Sequence, residues 1–137
     1  MRKVYLLIGI CILAAFAITL WAQAIEEQLS PVMKDVAATQ GSLRKNLDAK
    51  SAADVEKDAT KLQGLFEKAQ GIFKAAKVGD AAKAAKANAE AAGEVIAAAK
   101  QNNLDAAATP AGAIQKSCKG CHDIHREQLP DKTYKFK

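Results

Sequence analysis

Two cysteines and a histidine near the end of the sequence have the residue types and the spacing for covalent attachment of a cofactor. The string Cys118-Lys119-Gly120-Cys121-His122 is a C-x-x-C-H motif. Thiols three residues apart on a helix lie on one face, so both can add to the two vinyl groups of one haem. The imidazole of His122 then lies beneath the porphyrin, where a ring nitrogen can bind the iron. The motif predicts one covalent haem c, attached through Cys118 and Cys121, with His122 as the proximal iron ligand.

Three other kinds of site use the same residue types. A thioredoxin-like pair needs a β-α-β pattern around its C-x-x-C, and the sequence has no strand pattern. A zinc site could use Cys118, Cys121, His122 and His125, but one short helical stretch does not easily surround a tetrahedral ion. A plain disulfide between the two cysteines is the third alternative. Haem attachment is the leading interpretation, followed by zinc binding and then the disulfide.

The start of the sequence predicts a secretory signal peptide over residues 1–24. Arg2 and Lys3 are basic, residues 4–20 are almost continuously apolar, and Ala22-Gln23-Ala24 is an A-x-A cleavage site. An uncleaved membrane anchor is the alternative, because the apolar run nearly reaches spanning length. Cleavage predicts a periplasmic protein without stable membrane insertion after loss of the leader. Export also suits a haem that is attached outside the cytoplasm.

The charge and the motifs exclude several classes of function. The 20 basic and 15 acidic residues give a net charge of +5, which loss of Arg2 and Lys3 brings closer to zero. The lysines are spread along the sequence, and there is no basic patch with interleaved aromatics, so we expect no nucleic-acid partner. There is also no pair of carboxylates, nucleophile triad or phosphate loop that would indicate an enzyme.

Residues 25–137 have the composition of one all-α domain. Alanine, lysine, glutamate, glutamine and leucine, all favourable in helices, dominate this region, and no useful length alternates with period two. Short connections between helices of similar length predict an up-down-up-down antiparallel four-helix bundle. Aromatic residues make up only 5% of the sequence, and a buried haem would supply the missing apolar volume.

Turn and capping residues give the expected helix boundaries. The predicted helices are 25 or 31–47, 51–77, 79–100 and 109–128, followed by a short basic tail. Ser30-Pro31, Ser51 and Thr109-Pro110 are expected to open the first, second and fourth helices. Residues 101–108 are expected to form a loop, and Leu129-Pro130 to end the last helix.

Met33 is a candidate second iron ligand. The first and last helices of such a bundle are antiparallel, so the beginning of one lies beside the end of the other. This arrangement brings Met33 to the level of the iron, opposite His122. Methionine opposite histidine is a common axial pair that raises the reduction potential. If Met33 is only a core residue, the iron is five-coordinate and its open face can bind small gases.

The segment from Cys118 to Arg126 resembles class II c-type cytochromes, the cytochrome c′ and cytochrome c556 family. The resemblance implies that Arg126 lies near the haem, while His125 stands where an aromatic residue is usual. Val32-Met33-Lys34-Asp35 resembles the Met-Lys segment of low-spin c556-type members, which implies that Met33 is the distal iron ligand.

These patterns together predict a periplasmic mono-haem cytochrome that carries electrons to and from transiently bound redox proteins. Its iron is expected to be bound by His122 and Met33, in a monomer or a homodimer. The first alternative is a five-coordinate cytochrome c′ that binds nitric oxide or carbon monoxide. The remote alternative is a zinc-binding helical protein.

Overall fold

The protein is a four-helix bundle that ends in a short β-hairpin. The computed structural model describes the backbone of residues 2–137 and the side chains from Gln23 onwards. The elements in chain order are α1 (Arg2–Asp48), α2 (Ala52–Ala75), α3 (Gly79–Lys100), α4 (Leu104–His125), β1 (Arg126–Gln128) and β2 (Tyr134–Phe136). The predicted four helices are therefore present, but α1 and α4 have other bounds than predicted, and the two strands were not predicted.

The first helix does not begin at Ser30-Pro31, because α1 continues through both residues. Proline fixes a φ angle that a helix accepts, but inside α1 it removes the N–H that would bond to the carbonyl of Glu27, and its ring crowds that carbonyl. Buried apolar residues on both sides of Pro31, among them Leu29 and Val32, hold the helix against the bundle and offset that loss.

Most of the predicted signal peptide lies outside the part of the structure whose side chains are described. Its cleavage after Ala24 and the periplasmic location therefore stay predictions. Where side chains are described, no helix is both long and apolar enough to cross a membrane.

The fourth helix begins at Leu104, so the prediction of a loop over 101–108 is wrong. Asn103 caps this helix, and its Oδ1 accepts a hydrogen bond from the backbone N–H of Ala106 at 3.1 Å. The run of alanines that follows favours helix. Pro110, expected at the helix start, lies inside α4 and is buried. The connection between α3 and α4 is therefore only residues 101–103.

The three connections between the helices have the same backbone geometry. In each, a residue with positive φ follows the helix end: Lys50 (55°), Lys77 (58°) and Asn102 (55°). The N–H of that residue and the N–H of the next one both bond back to carbonyls in the last turn, which is a Schellman motif. Each motif reverses the chain within three residues, so consecutive helices run antiparallel.

The core lies between consecutive helices and leaves the α1–α4 side open. The predicted face of α2 is buried at Val55, Ala59, Leu62, Phe66, Ala69 and Phe73. The alanine-rich helix α3 packs closely against α2, and it also packs on α4, while α1 packs on α2. In contrast, the described part of α1 makes little direct contact with α4. A cleft therefore separates the first helix from the last.

The chain ends in a hairpin where the sequence predicted helix up to Gln128 and then a basic tail. Strands β1 and β2 pair antiparallel with Arg126 opposite Phe136, and Pro130 lies in the turn between them. The N–H of Phe136 donates to Oε2 of Glu26 at 2.8 Å, and its ring packs 6.0 Å from the ring of Phe73. These contacts favour the hairpin over further helix and tie the end of the chain to α1 and α2.

The N-terminus of α4 gives a direct test of this fold. We expect Asn103→Ala to destabilise the protein by about 1 kcal/mol, because the first turn of α4 loses its capping acceptor. Thr109→Ala is the matched control, and since Thr109 lies exposed inside α4, its effect should be close to zero. Urea unfolding followed by circular dichroism measures the free energy of unfolding of both variants. A larger loss of stability for Thr109→Ala than for Asn103→Ala would instead indicate that the helix begins at Thr109, as the sequence predicted.

Candidate functional site

The C-x-x-C-H motif and Met33 line the same cavity, although they come from opposite ends of the chain. The cavity has a volume of about 130 Å³ and is bounded by all four helices. Its lining residues are Met33, Val36, Ala37 and Gln40 of α1, Phe66 and Phe73 of α2, Ala81, Ala84, Ala85 and Asn88 of α3, and Cys118, Cys121 and His122 of α4. The structure thus brings together the two cysteines, the histidine and the methionine that the sequence singled out.

A second, larger cavity continues along the cleft between α1 and α4. It has a volume of about 470 Å³ and shares Ala37 and Gln40 with the first. Glycines face it from both sides, and a methyl group added at Gly41 or Gly112 would meet no other atom within 4 Å. The open space therefore extends from the motif towards the far end of α1.

Cys118 and Cys121 are free thiols that lie half-buried on the face of α4 that lines the cavity. Burial raises the pKa of both thiols, and the negative charge of Asp80 raises that of Cys121 further. Gln40 opposes this at Cys118, where its Nε2 donates a hydrogen bond to Sγ at 3.6 Å. Both thiols are therefore protonated at neutral pH. In redox-active C-x-x-C pairs, by contrast, the pKa of the reactive thiol is lowered and the thiolate forms.

His122 is half-buried, and Arg126 approaches the ring nitrogen that faces away from a ligand bound at Nε2. Nη1 of Arg126 lies 3.4 Å from Nδ1 of His122. Burial lowers the pKa of His122, and the positive charge of Arg126 lowers it further, against the opposing charge of Asp123. The ring is therefore held neutral, which is the state that binds a metal ion.

The hairpin positions Arg126. This residue is the first of β1, and its guanidinium lies 3.3 Å above the centre of the Tyr134 ring in β2. A cation over an aromatic ring is attracted to its negative face, so Tyr134 restrains the arginine beside His122. The resemblance to class II c-type cytochromes implied that Arg126 lies near the haem. In the structure, Arg126 lies next to His122, the predicted proximal ligand.

His125 is not among the residues that line the cavity, and its ring has other partners. Its Nε2 lies 2.8 Å from Oδ2 of Asp80 at the start of α3, and its ring stacks on Phe136 at 5.4 Å. Within the described residues, no three side chains of the types His, Cys, Asp or Glu form a group that could hold a metal ion. His125 thus connects α4 to α3 and β2. Since its ring nitrogen is bonded to Asp80, the arrangement does not favour the zinc alternative.

Two polar residues of the cavity wall were missed by the sequence analysis. Gln40 and Asn88 are polar residues within helices, and neither belongs to a sequence motif that would indicate a site. The spacing of Asn88 from Ala81, Ala84 and Ala85 marks one helical face. Only the contact of that face with the motif reveals that Asn88 belongs to the site.

Comparison with known proteins adds no further residue to this site. No protein-family model matches the chain. No curated protein matches it either.

The bond between His125 and Asp80 predicts a dependence of stability on pH. The bond lowers the pKa of Asp80 below its ordinary value of 3.8, so it stabilises the folded state above that pH. The stabilisation is lost as the pH falls through the lowered value. We therefore expect Asp80→Asn to destabilise the protein at about pH 5 and the difference from wild type to shrink below pH 3.8.

A double-mutant cycle separates this pair from the other carboxylates. The free energy of unfolding is measured for the wild type, Asp80→Asn, His125→Gln and the double variant across the acid range. The coupling free energy between the two substitutions should decrease as the pH is lowered. A coupling free energy that stays constant across the acid range would contradict the assignment.

Proposed function

We propose that the protein is a periplasmic mono-haem electron carrier. In this proposal haem c is attached to Cys118 and Cys121, and its iron is bound by His122 and Met33. The observation that carries the proposal is the shared cavity, because all four side chains line it from α1 and α4. Met33 is the only methionine besides Met1, so the thioether in this cavity has no substitute elsewhere in the mature chain.

The donor atoms suit a haem. Two protonated thiols on one helical face can each add S–H across a vinyl group, which forms a C–S bond and transfers the hydrogen to the other vinyl carbon. The neutral ring of His122 and the thioether of Met33 are the two axial ligands found in many c-type cytochromes. Arg126 lies outside the cavity, with Nη1 3.4 Å from Nδ1 of His122, the nitrogen that the iron would not use. That nitrogen would carry the ring proton when Nε2 binds iron, so the guanidinium would act on His122 through its charge and not by a hydrogen bond.

The space also suits a haem, provided that the cleft takes part. A closed cavity of about 150 Å³ holds benzene, so 130 Å³ alone is too small for a porphyrin. The adjoining cleft between α1 and α4 adds the second cavity of about 470 Å³, so a porphyrin would extend from the motif into that cleft. Because α1 and α4 make little contact, a large planar group between them would disturb few existing core contacts.

The residues of the chain would perform distinct parts of the electron-transfer function. The bound haem supplies an iron that alternates between the ferric and ferrous states. Phe66, Phe73 and the methyl groups of Ala81 and Ala85 provide apolar walls that keep water from the site. Two fixed side-chain ligands would hold the iron in similar surroundings in both states, so little rearrangement accompanies electron transfer. Redox proteins that dock transiently would be the partners.

The resemblance to class II c-type cytochromes supports the same proposal. A bundle of four helices is the fold that this resemblance implies, and the motif lies on the last helix, as expected. The proposal assigns Arg126 to the surroundings of the haem, at the proximal side.

Covalent attachment is tested by mass spectrometry of protein purified from a host with haem-ligation machinery. We expect the mass of the mature chain plus one haem, and a replacement of Cys118 and Cys121 by serine should abolish the added mass. Cys11→Ser is the matched control, because the third cysteine lies in the predicted leader and should leave the mass of the mature protein unchanged. A colourless wild-type protein from a competent host would refute the haem proposal.

The second axial ligand is tested with Met33→Leu, which conserves the apolar volume and removes the sulfur. We expect loss of the methionine–iron charge-transfer band, a lower reduction potential and faster binding of carbon monoxide to the ferrous protein. Val36→Ala is the control, since Val36 lines the same cavity without a donor atom. A wild-type protein that is high-spin and binds carbon monoxide rapidly would favour the five-coordinate, gas-binding alternative.

A further inference from the structure

The net charge of the chain beyond its predicted leader lies in its last 22 residues. Residues 25–115 carry twelve basic and twelve acidic side chains, whereas residues 116–137 carry six basic and three acidic ones. This last part contains the C-x-x-C-H motif and the whole hairpin. One end of an otherwise neutral chain is therefore positively charged.

The basic side chains of this part are exposed, and together they form what we call the basic surface. Its members are Lys116, Lys119, Arg126, Lys132, Lys135 and Lys137. Lys119 forms an ion pair with Asp123 at 2.9 Å. Lys137 approaches the same turn of α4, since its Nζ donates to the carbonyl oxygen of Asp123 at 3.4 Å. The end of α4 and the hairpin thus present these charges side by side.

Two large apolar side chains are exposed among these charges. Ile124 of α4 is 60% exposed and Tyr134 of β2 is 44% exposed, and no other large apolar side chain of the described region is exposed in this way. Single exposed apolar residues are ordinary on a protein surface. Apolar side chains within a charged rim, however, are the arrangement of a protein–protein interface.

The basic surface extends to the predicted proximal ligand. The guanidinium of Arg126 lies 3.3 Å from the centre of the Tyr134 ring, and its Nη1 lies 3.4 Å from Nδ1 of His122. Electron transfer becomes faster as the distance between two redox centres decreases. A protein bound against Arg126 and Tyr134 would therefore lie close to an iron held by His122.

We propose that the basic surface docks an acidic redox protein, and that one electron passes between the cofactor of that protein and the haem iron on this side of the molecule. The inference rests on the proposed function, to which it adds the surface that the partner uses and the charge that the partner carries. Opposite charges steer two proteins together and raise the rate of association. A small apolar centre suits the weak, short-lived contact that is usual between redox proteins.

The arrangement of charges favours an acidic protein over other polyanions. Three acidic residues, Asp123, Glu127 and Asp131, are interspersed among the basic ones. Anionic lipid is bound by clusters of lysine and arginine without such interruptions. Single-stranded nucleic acid stacks its bases on aromatic rings, but Arg126 covers one face of the Tyr134 ring. A folded protein can match both signs of charge.

The first test measures the oxidation of the ferrous protein by hexacyanoferrate(III), an anion, and by tris(phenanthroline)cobalt(III), a cation. In each reaction the haem iron loses one electron and the metal of the oxidant gains it. At an ionic strength of about 0.1 M, charges more than about 10 Å apart are largely screened, so the two rates report the charge near the point of transfer. Replacement of Lys132, Lys135 and Lys137 by glutamine should lower the rate with the anion roughly three- to tenfold and raise the rate with the cation.

The matched control replaces Lys45, Lys57 and Lys61 by glutamine, which removes the same total charge. Lys57 and Lys61 precede Phe73, the residue of α2 that contacts the hairpin, by 16 and 12 positions, or about 24 and 18 Å along the helix. Both rates should then stay within a factor of about two of the wild-type values. Equal effects of the two triple variants would overturn the proposal, because the net charge of the protein would then govern the rates.

A second test does not depend on haem. A peptide of ten glutamates is titrated into the isotope-labelled protein as purified, and the backbone amide shifts are followed by nuclear magnetic resonance. We expect the largest shifts at the end of α4 and in the hairpin, and shifts spread evenly over the lysines of all the helices would contradict the proposal. If no haem attaches, the proposed function fails, and the titration still decides whether this surface binds an acidic polypeptide.

A membrane is the other polyanion to be tested. The protein is sedimented with vesicles of equal parts phosphatidylglycerol and phosphatidylcholine at the same ionic strength. We expect the protein to remain in the supernatant. Sedimentation that is lost when Lys132, Lys135 and Lys137 are replaced by glutamine would assign the basic surface to lipid and overturn the proposal.

Discussion

The separation of α1 from α4 is the feature on which the rest of the structure depends. The three Schellman motifs fix the contacts between consecutive helices, and no connection of this kind joins the first helix to the last. In a bundle of this topology, these two helices would normally pack together and complete the core. Here small residues such as Gly41 and Gly112 face the cleft instead, and the motif, Met33 and Asn88 border its inner part.

The hairpin holds this open arrangement at one end. Phe136 reaches α1 through Glu26, α2 through Phe73 and α4 through His125, so a single residue links three helices near the motif. Strand β1 starts at the residue after α4 and thereby directs Arg126 back towards His122. The last residues thus connect the helix that carries the motif to α1 and α2 at one end of the cleft.

The sequence was sufficient for the features that depend on helix period and chain order. The spacing of Cys118 and Cys121 fixes a shared face, and antiparallel order brings Met33 to the same cavity. Features that depend on distant partners could not be predicted in this way. A three-residue strand is too short to show an alternating pattern in the sequence. Phe136 belongs to such a strand because of its contacts with α1 and α2. The partner of His125 lies 45 positions away in α3.

The alanines of α3 explain how one helix can serve both the core and the cavity. Methyl groups allow α3 to pack closely on α2, and where α3 turns towards the motif the same small side chains leave space. A chain selected only for stability without a ligand would fill that space with larger apolar residues, since each unfilled cavity weakens a core. The small residues and the open volume beside the motif are the features that the proposed cofactor would use to complete the core.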